Sequence, residues 1–209
     1  MGEIMTRGVY LFVICTPITT LVIFSVLLFN YTSVPKNGLF IFATDIESLI
    51  EQGNTAYDLG RSEEAVQYYD RALAIDPEDT EALVDKGLAL EDLNRTEEAV
   101  QYYDRALAID PEDTDALDSK GEALYNLDRT EEAIQLFDRA IAIDPEDTEA
   151  LVDKGLALED LNRTEEAVQY YDRALAIDPG EVDAQYNNDS ALLSLSSLAK
   201  LNQNTSATN

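Results

Sequence analysis

The stretch DRALAIDP, residues 70–77, returns unchanged at 104–111 and 172–179, and as DRAIAIDP at 138–145. Successive copies stand 34 residues apart. The phrase holds no nucleophile with an activating base and no metal-ligand spacing, so its repetition asks for a structural cause. A constant period of this size predicts a solenoid, in which each unit buries its apolar face against its neighbours. Aligned on the Asp-Pro dipeptides, the units fall at 46–79, 80–113, 114–147 and 148–181.

Each unit carries two helical patterns. In the second, helix A is EALVDKGLALEDL (81–93), with Ala82, Leu83, Lys86, Gly87, Leu90 and Leu93 at helical spacing. Helix B is EEAVQYYDRALAI (97–109), with the apolar stripe Ala99, Val100, Tyr103, Ala106, Leu107 and Ile109. Thr96 is expected to cap helix B, with Glu97 and Glu98 at the positive end of its dipole. Asn94 and Asn162 fall in the tight A–B turn, where Asn tolerates a left-handed backbone; Gly60 and Asp128 fill that place in the other units. Pro111 ends helix B and helps to start the next helix, and Thr44 with Glu47 reads as a capping box opening the first unit.

Small residues recur at fixed places. Gly53, Gly87, Gly121 and Gly155 share one site in helix A. Ala65, Ala99, Ala133 and Ala167 share one in helix B, as do Ala72, Ala106, Ala140 and Ala174. The large partner is Tyr69, Tyr103, Phe137 or Tyr171. A mid-helix glycine costs up to about 1 kcal/mol relative to alanine, so its recurrence implies that a side chain there would clash. Residues 74–111 and 142–179 are identical, the mark of a duplicated two-unit block.

This set of glycine, alanines, aromatic and closing proline resembles the tetratricopeptide repeat family over about residues 45–181, with Leu83, Leu117 and Leu151 at a site where the family often has Trp or Leu. The resemblance implies an all-α, right-handed superhelical solenoid of antiparallel helix pairs, with helix A along the concave face. Candidate partner-binding residues are then the helix A positions outside the core: Asn54, Tyr57 and Asp58; Asp85, Leu88 and Asp92; Asp118, Glu122 and Tyr125; Asp153, Leu156 and Asp160. Such a groove is acidic with hydrophobic contacts, and suits a basic extended segment or an amphipathic helix. It does not suit the carboxylate tails that some co-chaperones of this family clamp with lysines, because Ile50, Val84, Asp118 and Val152 occupy the places where those lysines would begin.

Composition points the same way. The 42 acidic against 14 basic residues leave a formal charge of -28, which repels nucleic acid and favours basic or cationic protein partners. With no histidine and the single cysteine Cys15, the chain lacks the commonest general base and any thiolate cluster. We expect no catalytic residues, no cofactor and no metal site. The DPEDT turns lack the spacing of a calcium loop.

Before the repeats, after a short flank (1–8), residues 9–29 carry no charge and are long enough to cross a bilayer as a helix, Pro17 included. The run exceeds a signal-peptide core and lacks a small-x-small site, so an uncleaved anchor is the expectation. Residues 30–45 read as a linker, 182–201 as a capping helix with the stripe Ala184, Ala191, Leu192, Leu195, Leu198 and Leu201, and 202–209 as a frayed tail. Asn-x-Ser/Thr sites at Asn30, Asn94, Asn162, Asn188 and Asn204 favour repeats on the outer side of the membrane. The expected function is a membrane-anchored interaction module that recruits or scaffolds a partner; the alternative is a structural surface component without a specific peptide ligand.

Overall fold

A computed structural model of the chain describes residues 38–206. They hold helices α1 (Gly38–Asp58), α2 (Ser62–Ile75), α3 (Thr80–Asp92), α4 (Thr96–Ile109), α5 (Thr114–Asn126), α6 (Thr130–Ile143), α7 (Thr148–Asp160), α8 (Thr164–Ile177) and α9 (Val182–Ser206), and no strand among the described residues. From Ile46 onward the chain forms one compact unit. The expected membrane span at 9–29 lies outside the described residues, as does the flank at 1–8; no helix among those described is long and apolar enough to cross a membrane.

Local chemistry sets the helix ends. The A–B turns pass through positive φ at Gly60 (68°), Asn94 (56°), Asp128 (58°) and Asn162 (59°), as their residue types predict. The next N–H then bonds back across the turn, from Arg95 to Leu90 O (2.9 Å) and from Arg163 to Leu158 O (2.8 Å). Helix B therefore restarts at once, and Thr96 is its first helical residue rather than its cap. The cap position belongs to Arg95, which makes no side-chain capping bond and pairs instead with Glu98 at 2.6 Å. The Asp-Pro phrase spans the other junction. Asp76 and Asp110 close helix B, the proline stands in the turn, and Asp79, Asp113 and Asp147 cap the next helix A by accepting from the amides of Ala82 (2.9 Å), Ala116 (3.0 Å) and Ala150 (3.1 Å).

Two expected boundaries move. Helix α1 begins at Gly38, so residues 38–45 are helical rather than linker and Thr44 and Glu47 lie inside the helix. A capping box acts only where the chain enters a helix, and no proline or glycine interrupts the segment from Leu39 to Gln52. At the other end α9 runs to Ser206, past the expected start of the tail.

The core repeats with the period. All eight helix B alanines named above are fully buried, with Tyr69, Tyr103, Phe137 and Tyr171 between them. Each ring lies flat on the glycine of its own helix A. A β-carbon built on Gly53, Gly87, Gly121 or Gly155 would stand 2.8, 2.6, 2.8 or 2.7 Å from the ring Cζ, well inside contact distance. Three rings reach past the glycine to a polar partner: Tyr69 to Asn54, Tyr103 Oη donating to Glu91 (2.6 Å), and Tyr171 Oη donating to Glu159 (3.0 Å). The last residue of each B stripe stays outside the core, with Ile109 42% exposed.

Successive units are also joined by a polar ladder, always between residues 16 apart. Lys86 reaches Asp70, Lys120 reaches Asp104 (2.5 Å), Lys154 reaches Asp138, and Asn188 donates to Asp172 (2.7 Å). Lys86 and Lys154 are buried and each adds a bond to a tyrosine hydroxyl, Tyr102 or Tyr170, at 2.7 Å.

Gly87→Ala tests the packing rule. Helix propensity alone favours alanine by about 1 kcal/mol. The tethered Tyr103 ring must move to admit the methyl, so denaturant unfolding should show a net loss of about 1–3 kcal/mol. Gly121→Ala should lose less, since Phe137 has no hydroxyl to hold it. A stabilised Gly87→Ala protein would contradict the clash.

Candidate functional site

The A helices of adjoining units touch one another, α3 with α5, α5 with α7 and α7 with α9, whereas among the described residues the B helices meet A helices and not one another. The array therefore curls toward the A side, and the A-helix residues that point away from helix B line its inner face. The structure places the expected residues along this face in three kinds of environment.

Tyr57, Leu88, Tyr125 and Leu156 are half-buried, one per unit, each leaving part of an apolar surface open. Asp58, Asp92 and Asp160 are exposed. Asp92 and Asp160 also serve packing, accepting from Ser62 Oγ and Thr130 Oγ1 of the preceding B helix at 3.0 Å. Asn54, Asp85, Asp118, Glu122 and Asp153 are half-buried between neighbouring A helices.

This third group differs from unit to unit. Asp85 faces Asn54, whose amide, oriented by its partners, brings its nitrogen to 2.9 Å from Asp85 Oδ2 and 2.6 Å from the Tyr69 hydroxyl. Burial pushes the Asp85 carboxyl up to about 6, Glu81 adds to the rise, and the Asn54 bond opposes it. Asp153 lacks that amide. The residue in the place of Asn54, two units on, is Glu122, so burial and then the Glu122 carboxylate hold Asp153 well above the usual range. Burial, followed by Asp147, likewise raises Asp118 to about 8. One oxygen of each, Asp118 Oδ1 and Asp153 Oδ2, is buried without a donor. A proton retained within each carboxyl pair would supply the missing donor.

Asp147 was not among the residues expected from sequence. It caps α7 and so meets Asp118 of the neighbouring α5, a role that a helix-surface pattern does not reveal. Glu91 and Glu159, the tyrosine acceptors, also stand on this side; burial raises Glu91. Among the described residues no group of His, Cys, Asp or Glu has the arrangement to hold a metal ion. The face thus offers carboxylates short of positive charge, flanked by half-open Leu and Tyr side chains.

The sign of the pH effect follows. A carboxyl held at about 8 when folded and near 3.8 when unfolded binds more protons in the folded state between those values. Its contribution to stability is complete below the unfolded value and is lost as the pH rises through about 8. Melting temperature should fall from pH 5 to pH 9. Asp153→Asn, whose amide can donate to Glu122 at every pH, should flatten that fall and raise the melting point at pH 9 by a few degrees, the size of about 1 kcal/mol in a domain of this length. A pH-independent melting point would refute the shared-proton pairs.

Comparison with known proteins agrees with this architecture. A tetratricopeptide repeat family model matches residues 50–114 and 119–182. No curated protein matches the chain in sequence. Among solved structures, pilF from Pseudomonas aeruginosa aligns at TM-score 0.70 and 22% identity, covering 78% of this chain and 74% of that one. The MamA protein aligns at TM-score 0.63 and 22% identity, covering 71% and 81%. YrrB, described as a TPR protein with an unusual peptide-binding site, aligns at TM-score 0.59 and 25% identity, covering 74% and 84%. Helix pairs at a period of 34 residues, each locked by a glycine under an aromatic ring, and a family model matching more than half the chain lead to one conclusion: this chain belongs to the tetratricopeptide repeat family.

Proposed function

We propose that this chain is a membrane-anchored interaction module whose inner face binds a basic extended segment or amphipathic helix of a partner protein. The fold is that of protein-interaction repeats, and the peptide-binding site described for YrrB supports a peptide role for the inner face here. The observation that carries the proposal is the pairing of half-buried carboxyls, Asp118 with Asp147 and Asp153 with Glu122, beside half-open Leu88, Tyr125 and Leu156. A lysine or arginine of the partner would supply the charge these carboxyls lack and release the proton they share. Its apolar neighbours would rest on the leucines and tyrosines. Anchoring rests on the uncharged run 9–29, and an outward orientation on the exposed sequons at Asn94 and Asn162; Asn188 is buried and bonded to Asp172, so it does not contribute.

Calorimetry with a peptide alternating arginine and leucine tests the groove. Binding should weaken with salt and release protons near pH 7.5, seen as a heat that varies with the ionisation enthalpy of the buffer. Asp118→Asn with Asp153→Asn should remove most of that proton release and weaken binding by about tenfold, the loss of roughly one charge-assisted contact. Equal binding of a peptide with glutamate in place of arginine would overturn the reading. For the anchor, added protease should digest the repeats on intact cells; protection until lysis would reverse the orientation.

A further inference from the structure

We propose that the open face of α9 is a docking surface for a second copy of this chain. Helix α9 is built as the A helix of a fifth unit. Counting 34 residues on from α7, Ala184 follows Ala150, Asn188 follows Lys154 and Ala191 follows Ala157. All three are buried against the fourth unit, and Asn188 makes the ladder bond to Asp172. On the far side the apolar character is kept but not the burial. Val152 and Leu158 are 7% and 1% exposed, whereas Tyr186 and Leu192 in their places are 73% and 47% exposed. Val182 and Leu193, 74% and 70% exposed, share the face of Tyr186 at helical spacing. The expected stripe therefore divides: Ala184, Ala191 and half-buried Leu195 pack inward, while Leu192 and Leu198 stay exposed because no helix B covers them.

Two observations choose the occupant. Asp189 stands where every other A helix has its glycine. An aromatic ring cannot settle on that position, so the face does not receive another unit packed by the same rule. The second is charge. Glu3 and Asp45 balance Arg7 and Lys36, and residues 182–209 hold only Asp183 and Asp189 against Lys200, so nearly all of the -28 lies on residues 46–181. Two copies of so acidic a chain repel one another along the repeats, and a basic partner is drawn to those same repeats. The face of α9 is largely apolar and carries Asp183 and Asp189 against Lys200, a net charge of about -1 next to the many acids of the repeats, so here two copies approach at least electrostatic cost. Pairing the same face on both copies gives a closed two-fold contact through Val182, Tyr186 and Leu193.

The test uses the purified full chain in mild detergent with Cys15→Ser, and a single new thiol at Ser197→Cys, which lies on the face of Tyr186 and Leu193. A short bismaleimide should give a cross-linked dimer whose yield rises with protein concentration and with salt, as screening lowers the repulsion. Gln101→Cys, exposed on the outer helix α4, should give none. Adding Tyr186→Glu and Leu193→Glu, both exposed and so harmless to folding, should cut the dimer by about tenfold or more. Equal dimer from Gln101→Cys, a dimer that survives the two glutamates, or no dimer at any concentration would each overturn the proposal.

Discussion

The contact between a helix A glycine and a helix B aromatic ring is the constraint on which the array depends. It brings the two helices of each unit close enough for the ring to lie on bare backbone. The fully buried alanines on either side of the ring complete the same surface. Because the ring reaches across helix A, it also decides what stands beyond. Tyr103 and Tyr171 meet Glu91 and Glu159; where a tyrosine stands at the corresponding place, Phe137 opposite Tyr125 has no hydroxyl and Tyr69 opposite Tyr57 turns to Asn54. Buried polar groups are costly without partners, so ring and acceptor are linked choices.

The second organising feature is the ladder between units. A lysine buried beside an aspartate offsets its desolvation only with good partners, and Lys86 and Lys154 have a carboxylate and a tyrosine hydroxyl each. Its exposed aspartate end keeps the carboxylate solvated. The rung between α8 and α9 lacks a cation, Asn188 donating its amide to Asp172 in place of a lysine.

Electrostatics along the inner face show how identical sequence acquires different chemistry. Asp85 and Asp153 lie in copies of the same segment, yet one faces the amide of Asn54 and the other the carboxylate of Glu122. A repeat supplies only half of each inter-unit site; the preceding unit supplies the other half. Duplication of a two-unit block therefore does not duplicate the site.

Much of this was legible in the sequence. The period, the helix pairs, the left-handed turn residues and the glycine under the ring are local or periodic signals, and each reappears where the residues place it. The amino acids alone determined the four units, their acidic inner helices and the order in which half-open tyrosines and leucines line them. Other features lay beyond a local reading. Thr96 missed the cap because a bond across the turn restarts the helix one residue early, and Asp147 joined the inner face only because capping α7 brings it to Asp118. Which carboxyls share protons, and which leucines of α9 stay open, were decided by tertiary structure. Both depend on what the neighbouring helix brings, or fails to bring, within a few ångströms.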